Sequence, residues 1–373
     1  MHKAGILGGG QLGRMLLQQA ANYPVETFVL ENDSQCPSAH LCHHFVLGDI
    51  QSAEDVYQFG KALDVLTIEI ESVNIEALEA LEQEGVKVIP SPAVIRMIKN
   101  KIRQKEFYRQ HSIPTSDYVL VSNRQELNDH LSFLPAVQKI GEGGYDGRGV
   151  QVLQHVGDFD KAFEAPSVLE KMVDIKKEIA VIIGIGQRGE TAVFPPVEMI
   201  FDPVLNLLDY QVCPAGLPAS LLQEIEAVAT RTVEQFGSAG LFAVELFVDK
   251  QDKIWVNESA PRVHNSGHHT IEGNHTSQFD LLWRILLDYP LGKTGLVQCS
   301  SMVNLVGQPG YTGEAVYSGL QEVMAMEGAY VHVYGKKQTK PGRKMGHITF
   351  LGDSVESVSD KAQAAKGLLQ VVA

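Results

Sequence analysis

Two short apolar runs, each carrying one carboxylate and separated by five polar residues, constrain this chain more than any other feature. Residues 241–248 are apolar except for Glu245, and residues 254–258 end in Asn257 and Glu258. Between them Asp249, Lys250, Gln251, Asp252 and Lys253 predict a hairpin turn. With the tip at Gln251 and Asp252, Lys250 faces Lys253, Val248 faces Trp255, and Glu245 falls opposite Glu258. Both carboxylates then share one sheet face, with Cβ atoms roughly 5 Å apart. Like charges held so closely in an apolar hairpin repel, and burial raises the cost. Either one Glu turns to solvent or pairs with an arginine such as Arg262, or a divalent cation compensates both. The paired register favours the cation, and a hard-oxygen donor set implies magnesium holding a nucleotide's phosphates.

The hairpin runs into a donor-rich segment, residues 259–270, which leaves the sheet edge where a second substrate would sit. The run Asn257-Glu258-Ser259-Ala260-Pro261-Arg262-Val263-His264-Asn265-Ser266-Gly267-His268 resembles the signature of the 5-(carboxyamino)imidazole ribonucleotide synthetase family, ATP-grasp enzymes of purine biosynthesis.

At 373 residues and 44% apolar content the chain suggests two or three domains with real cores. A net charge of −14 argues against general nucleic-acid binding, so an anionic ligand must be met by local cation clusters. No apolar run reaches membrane-spanning length, and the N-terminus runs into a strand without a signal-peptide core, which together predict a soluble cytoplasmic protein. Cys36, Cys42, Cys213 and Cys299 show no paired spacing and fit a reducing compartment. Cys36, His40, Cys42, His43 and His44 offer zinc-type donors, but their spacing matches no common structural site, and a turn with a short helix is expected there.

Residues 4–7 predict a buried strand, followed by Gly8-Gly9-Gly10-Gln11-Leu12-Gly13 opening a helix. The pattern satisfies a dinucleotide fingerprint, with Glu31 near the position of a ribose-binding acid. It equally fits close packing in a Rossmann-like domain that binds no dinucleotide. The resemblance implies that Gln11 and Leu12 line the imidazole nucleotide's site. A further strand over 65–71 places Glu69 and Glu71 on one face. There the resemblance implies a substrate contact, assigned to Glu69 with Glu71 as the competing choice. Residues 75–83 predict a helix and 86–90 a strand.

Residues 99–111 read as a basic helix whose charges are mostly solvated. A strand over 136–140 brings Lys139 to a loop with five glycines in nine residues, 141–149, suited to covering phosphates. Its run Gly143-Gly144-Tyr145-Asp146-Gly147-Arg148-Gly149 matches the family. The resemblance further implies that Lys101 faces the ATP phosphates. Glu170, Lys171, Met172 and Val173 would border adenine, and Glu178 would hold the ribose hydroxyls. Asn257 and Glu258 would complete the nucleotide site. Helices are expected over 219–236 and 278–287, and from 295 onward only short strands. Residues 335–347 concentrate Lys336, Lys337, Lys340, Arg343 and Lys344, a local cation focus of the kind a phosphate ester needs. The family's match at residues 341–347 assigns it to the substrate phosphate through Lys336, Arg343 and Lys344.

The resemblance implies an α/β (α+β) chain in three domains: Rossmann-like (1–99), ATP-grasp (100–292) and a small β-rich C-terminal domain (293–373). The implied reaction takes ATP, bicarbonate and 5-aminoimidazole ribonucleotide to the carbamate, ADP and phosphate, with Mg2+ on Glu245 and Glu258. Tyr145, Asp146, Arg148, Arg262, His264, Asn265, Ser266 and Lys344 would surround the reacting groups. Asp146, Lys344 and His264 are the proton-transfer candidates. Relatives imply a homodimer. Another ATP-grasp ligase, formate-dependent or of biotin-carboxylase type, would share the acidic hairpin without the His264-to-His268 run; a dinucleotide oxidoreductase would rest on Gly8 to Gly13.

Overall fold

The structure is a computed structural model, and it describes residues 1–144, 149–201 and 208–373. The first five strands form an all-parallel sheet in the order His44–Leu47, Val25–Glu31, His2–Leu7, Val65–Ile68, Lys87–Val88. Chain order reverses between His2–Leu7 and Val65–Ile68, and the carboxyl ends of those two strands frame the crevice where open α/β sheets receive ligands. The glycine turn, Glu69 and Glu71 all follow directly from them.

Two antiparallel sheets follow. The smaller orders Tyr118–Val121, Ser167–Lys171, Ala136–Ile140 and Val150–Leu153. The larger has nine strands and carries the acidic hairpin, Gly240–Asp249 with Ile254–Ala260, at one end beside Ile175–Ile185. It then runs on through Val197–Phe201 and Leu208–Cys213 into Cys299–Val306, Lys344–Gly352 and Ala329–Val333, so one sheet is continuous across position 293.

Helix packing joins the parts. Ala219–Glu234 buries Leu221, Ile225, Ala229 and Val233 against one face of the hairpin sheet. Gln278–Leu286 covers the other face. Its buried side also meets the first helix, Gln11–Ala20, where the Trp283 indole N–H donates to the Leu16 carbonyl at 2.7 Å. The front sheet and the hairpin sheet therefore share one core through that helix pair.

Several elements differ from the sequence reading. The basic helix expected over 99–111 spans Lys101–Gln110, and a separate helix, Pro92–Lys99, precedes it across the extended Asn100, whose side chain caps the second. Residues 34–43 form turns without a helix, and His43 and His44 bond to Thr27 and Glu26. The C-terminal region adds a helix, Val355–Leu368, which packs behind the last strands. Among the described residues, no helix is long and apolar enough to cross a membrane.

Candidate active site

The hairpin turn is one residue longer than the tightest register allows. The Asp249 N–H donates to the Lys253 carbonyl at 3.0 Å and Asp252 takes a left-handed φ of 62°. The Asp249 carboxylate holds the turn by accepting from the N–H groups of Gln251 and Lys253 and from the Trp255 indole, each at 2.9 Å. Val248 therefore faces Ile254, and Phe247 faces Trp255. A bulge then slips the register back, leaving Asn257 as the extra residue and Glu245 opposite Glu258, as the sequence reading requires. Glu178 lies opposite Phe247 on the next strand, which puts it on the same sheet face as Glu245.

Cations converge on this face from two directions. The Lys101 ammonium donates to Glu258 Oε2 at 2.5 Å from its helix. From the smaller sheet Lys139 donates to Asn257 Oδ1 at 2.6 Å and pairs with Glu170 Oε1 at 3.0 Å. Burial and the neighbouring Glu258 push the Glu245 carboxyl upward. Burial raises Glu258 as well, but Lys101 and Lys139 outweigh it and hold this carboxylate low. Burial alone lifts Glu178 to about 7, against the pull of Lys139. One ionised carboxylate and one resisting ionisation, facing each other in register, are residues that could hold a divalent cation, and their hard oxygens suit magnesium.

The Glu170 carboxylate is buried between Lys139 and Lys105 and accepts from the Ser116 hydroxyl at 2.6 Å. Burial opposes the charge, yet Lys139 and Lys105 bring Glu170 down to about 2. At the end of the Glu170 strand, Lys171 and Met172 are exposed and Val173 is half-buried. Lys105, which the sequence reading leaves among solvated charges, is buried here and is brought down by burial to about 8.

A second set of polar groups lies past the hairpin. His264 stands with Nε2 3.6 Å from Glu245 Oε1 and Nδ1 2.9 Å from the Ser266 hydroxyl. Asn265 opens a short 3-10 turn, and its buried amide nitrogen finds no hydrogen-bond partner among the described residues. The Arg262 guanidinium pairs with Glu71 at 2.9 Å. From the C-terminal region Lys336 donates to Gln11 Oε1 and to the Lys344 carbonyl, both at 2.8 Å. Arg343 donates to the Gln338 carbonyl within its own hairpin, at 2.9 Å. Arg14, absent from the expected site, lies against Gly335, where an added Cβ would be 3.5 Å from its guanidinium. Leu12 is a core residue beneath the loop. Tyr145, Asp146, Gly147 and Arg148 lie outside the described residues; Gly144 is exposed, and Gly149 has φ +83° with no room for a Cβ beside Ile140.

The glycine turn is already occupied by the chain's own carboxylates. Glu69 accepts from the N–H groups of Gly10 at 2.7 Å and Gly13 at 2.9 Å, and Glu31 accepts from Gly9 at 2.9 Å. A Cβ at Gly8 or Gly10 would come within 2.6 or 2.8 Å of Glu69, so these glycines make space for an internal carboxylate. A pyrophosphate would meet two carboxylates in place of free N–H donors. Calorimetry with NAD or NADP is therefore expected to show no binding at millimolar concentration; a micromolar complex would revive the oxidoreductase reading.

The chain also resembles known proteins over nearly its whole length. Sequence profiles match in order a ribonucleotide synthetase preATP-grasp domain over residues 1–99, an ATP-grasp domain over 106–279 and a phosphoribosylaminoimidazole carboxylase C-terminal domain over 300–361. The N5-carboxyaminoimidazole ribonucleotide synthase of Synechococcus elongatus is 34% identical over 99% of this chain and 94% of that protein. That of Aquifex aeolicus is 34% identical over 99% of this chain and 98% of its own length. The crystal structure of the Thermotoga maritima synthetase superposes over the whole of both chains with a TM-score of 0.93 at 37% identity. The Aspergillus clavatus synthase, solved with ADP and 5-aminoimidazole ribonucleotide, gives 0.89 at 32% identity over 98% of each chain. Identity at this level, spread over nearly the full length of each relative and over all three profiles, makes the chain a member of the N5-carboxyaminoimidazole ribonucleotide synthase family.

Proposed function

We propose that the protein is the ATP-dependent ligase that joins bicarbonate to the amine of 5-aminoimidazole ribonucleotide, giving 5-(carboxyamino)imidazole ribonucleotide, ADP and phosphate in purine biosynthesis. The observation that carries the reading is the position of His264, 3.6 Å from Glu245 on the nucleotide side and in the same segment as Asn265 and Ser266 on the other. Two anion-handling sites thus meet across one hairpin: lysines on the acidic face, and Gln11 with Lys336 at the glycine turn. Residues 1–99, 100–292 and 293–373 act as the three working units, in a cytoplasmic homodimer.

In this mechanism Lys139 and Lys101 hold the ATP phosphates, and the glycine loop with Tyr145, Gly147 and Gly149 covers them. Glu245 and Glu258 would hold magnesium, which would supply neutralisation of phosphate charge. A bicarbonate oxygen attacks the γ-phosphorus while its bond to the ADP oxygen breaks, forming carboxyphosphate. Arg148 is assigned to shielding this species from water until it releases carbon dioxide and phosphate. The amine nitrogen bonds to that carbon and loses one proton to a base among Asp146, His264 and Lys344. Glu69, Arg262, Asn265, Ser266, Arg343 and Lys344 orient the imidazole nucleotide. The test measures ADP release with each substrate omitted in turn and follows labelled carbamate by 13C NMR. Turnover no faster with the aminoimidazole nucleotide than without it, or equal with formate replacing bicarbonate, would overturn the assignment.

Glu178 adds a pH dependence to this reading. Its carboxyl is raised from an ordinary 4.5 to about 7, so the folded chain keeps a proton in that window which the unfolded chain has released. Stability of the free enzyme therefore falls as pH rises from 4.5 through 7. Binding ribose hydroxyls needs the ionised acceptor, so the ATP KM is expected to rise about tenfold between pH 8 and pH 6. Glu178→Gln should flatten that profile while raising the nucleotide-free Tm at pH 8. A wild-type KM that ignores pH across this range would remove Glu178 from the ribose site.

A further inference from the structure

The helix Lys101–Gln110 turns Lys101, Gln104, Lys105 and Tyr108 toward the hairpin, at the i, i+3, i+4, i+7 spacing usually filled by apolar residues. Burying such a stripe is costly unless every group is paired. The pairing is close to complete. Tyr108 bonds to Gln104 at 2.9 Å and to the Ser259 hydroxyl at 2.8 Å, and Gln104 accepts from the Ser259 N–H at 3.0 Å. Lys105 donates to the Thr115 hydroxyl at 2.6 Å and lies 2.9 Å from Glu170 Oε2, with side chains only 3% and 5% exposed.

Among the described residues, Lys105 is linked to Lys139 through Glu170, whose other oxygen pairs with Lys139 at 3.0 Å. The three buried groups, two ammonium ions and one carboxylate, carry a net charge of +1. Without Lys105 the remaining pair would be neutral, and Glu170 could swing its whole charge onto Lys139. We propose that Lys105 is a positioning residue for ATP: it shares Glu170, which fixes the Lys139 ammonium between Glu170 and Asn257 and leaves more of its positive charge to the phosphates than Glu170 alone would. The proposal rests on the ligase reading above, specifically on Lys139 meeting the ATP phosphates.

The test compares Lys105→Met, Lys105→Arg and Lys105→Gln, alone and in a Glu170→Gln background, by steady-state kinetics and ATP calorimetry. Lys105→Met is expected to raise the ATP KM and Kd tenfold to a hundredfold, in the range of about one to two lost charge-assisted contacts, with the aminoimidazole nucleotide KM within threefold of wild type. Lys105→Arg keeps the charge and should recover most of the affinity. Lys105→Gln, which keeps a donor without charge, should behave as Lys105→Met and serves where Lys105→Met does not fold. In the Glu170→Gln background the Lys105 change should cost less than threefold. A lower Tm with an unchanged ATP Kd, or a full penalty without Glu170's charge, would overturn the proposal. Wild-type activity is read separately, so absent carboxylation with an intact ATP shift would fault the substrate assignment and leave Lys105 standing.

Discussion

Glu245→Gln and Glu258→Gln are each expected to lower magnesium-dependent turnover by about a hundredfold or more, because each would remove one charged oxygen from the proposed magnesium site. The two variants should nevertheless part company in stability. Glu245 is held up by burial and by Glu258 facing it, so its neutral replacement relieves a repulsion and raises the nucleotide-free Tm on the alkaline side. Glu258 is the partner of Lys101 at 2.5 Å, and its replacement leaves that ammonium without its carboxylate in a partly buried site. Its Tm should fall. Magnesium titrations of kcat, with thermal melts at pH 6 and pH 8, read both effects. Unchanged turnover at saturating magnesium in both variants would remove the metal assignment; equal Tm shifts would show that the lysines do not distinguish the two carboxylates.

The opposition of these carboxylates was legible in the sequence, although the route to it contained two compensating errors. The turn is longer by one residue, and the bulge at Asn257 takes that residue back before Glu258. Nothing in an apolar run marks a bulge; Asn257 is the nearest signal, since its amide is needed at Lys139. The burial of Lys105 on the basic helix escapes the sequence for a physical reason. A polar stripe at helical spacing looks the same whether it meets water or a buried carboxylate, and only Tyr108 on that stripe hinted at burial. Glu69 was legible as a carboxylate at a strand's end, but its donors at Gly10 and Gly13 lie 59 and 56 residues away, beyond any local pattern. The helix Val355–Leu368 escaped because its buried face is only Val358, Ala362 and Ala365, too little apolar contrast to show a period.

Lys336→Met is expected to raise the aminoimidazole ribonucleotide KM strongly while leaving that of ATP nearly unchanged. Lys336 ties the C-terminal hairpin to Gln11 of the glycine turn, and under the proposed function it would also add a cation for the substrate's phosphate monoester in an acidic protein. Loss of one partly shielded charge-assisted contact is worth about 1.5–3 kcal/mol, roughly a tenfold to hundredfold weakening. Arg343→Ala should act in the same direction but less, because its guanidinium is already tied to the Gln338 carbonyl. Each change should cost the dephosphorylated riboside less than it costs the ribotide, since the riboside lacks the phosphate that the lost charge would meet. Gln11→Ala separates the two duties of Lys336, for it cuts the tie and keeps the charge. A small effect there with a large one at Lys336 assigns the energy to the phosphate, and equal losses for ribotide and riboside in Lys336→Met would show that the hairpin braces the site without reading the phosphate.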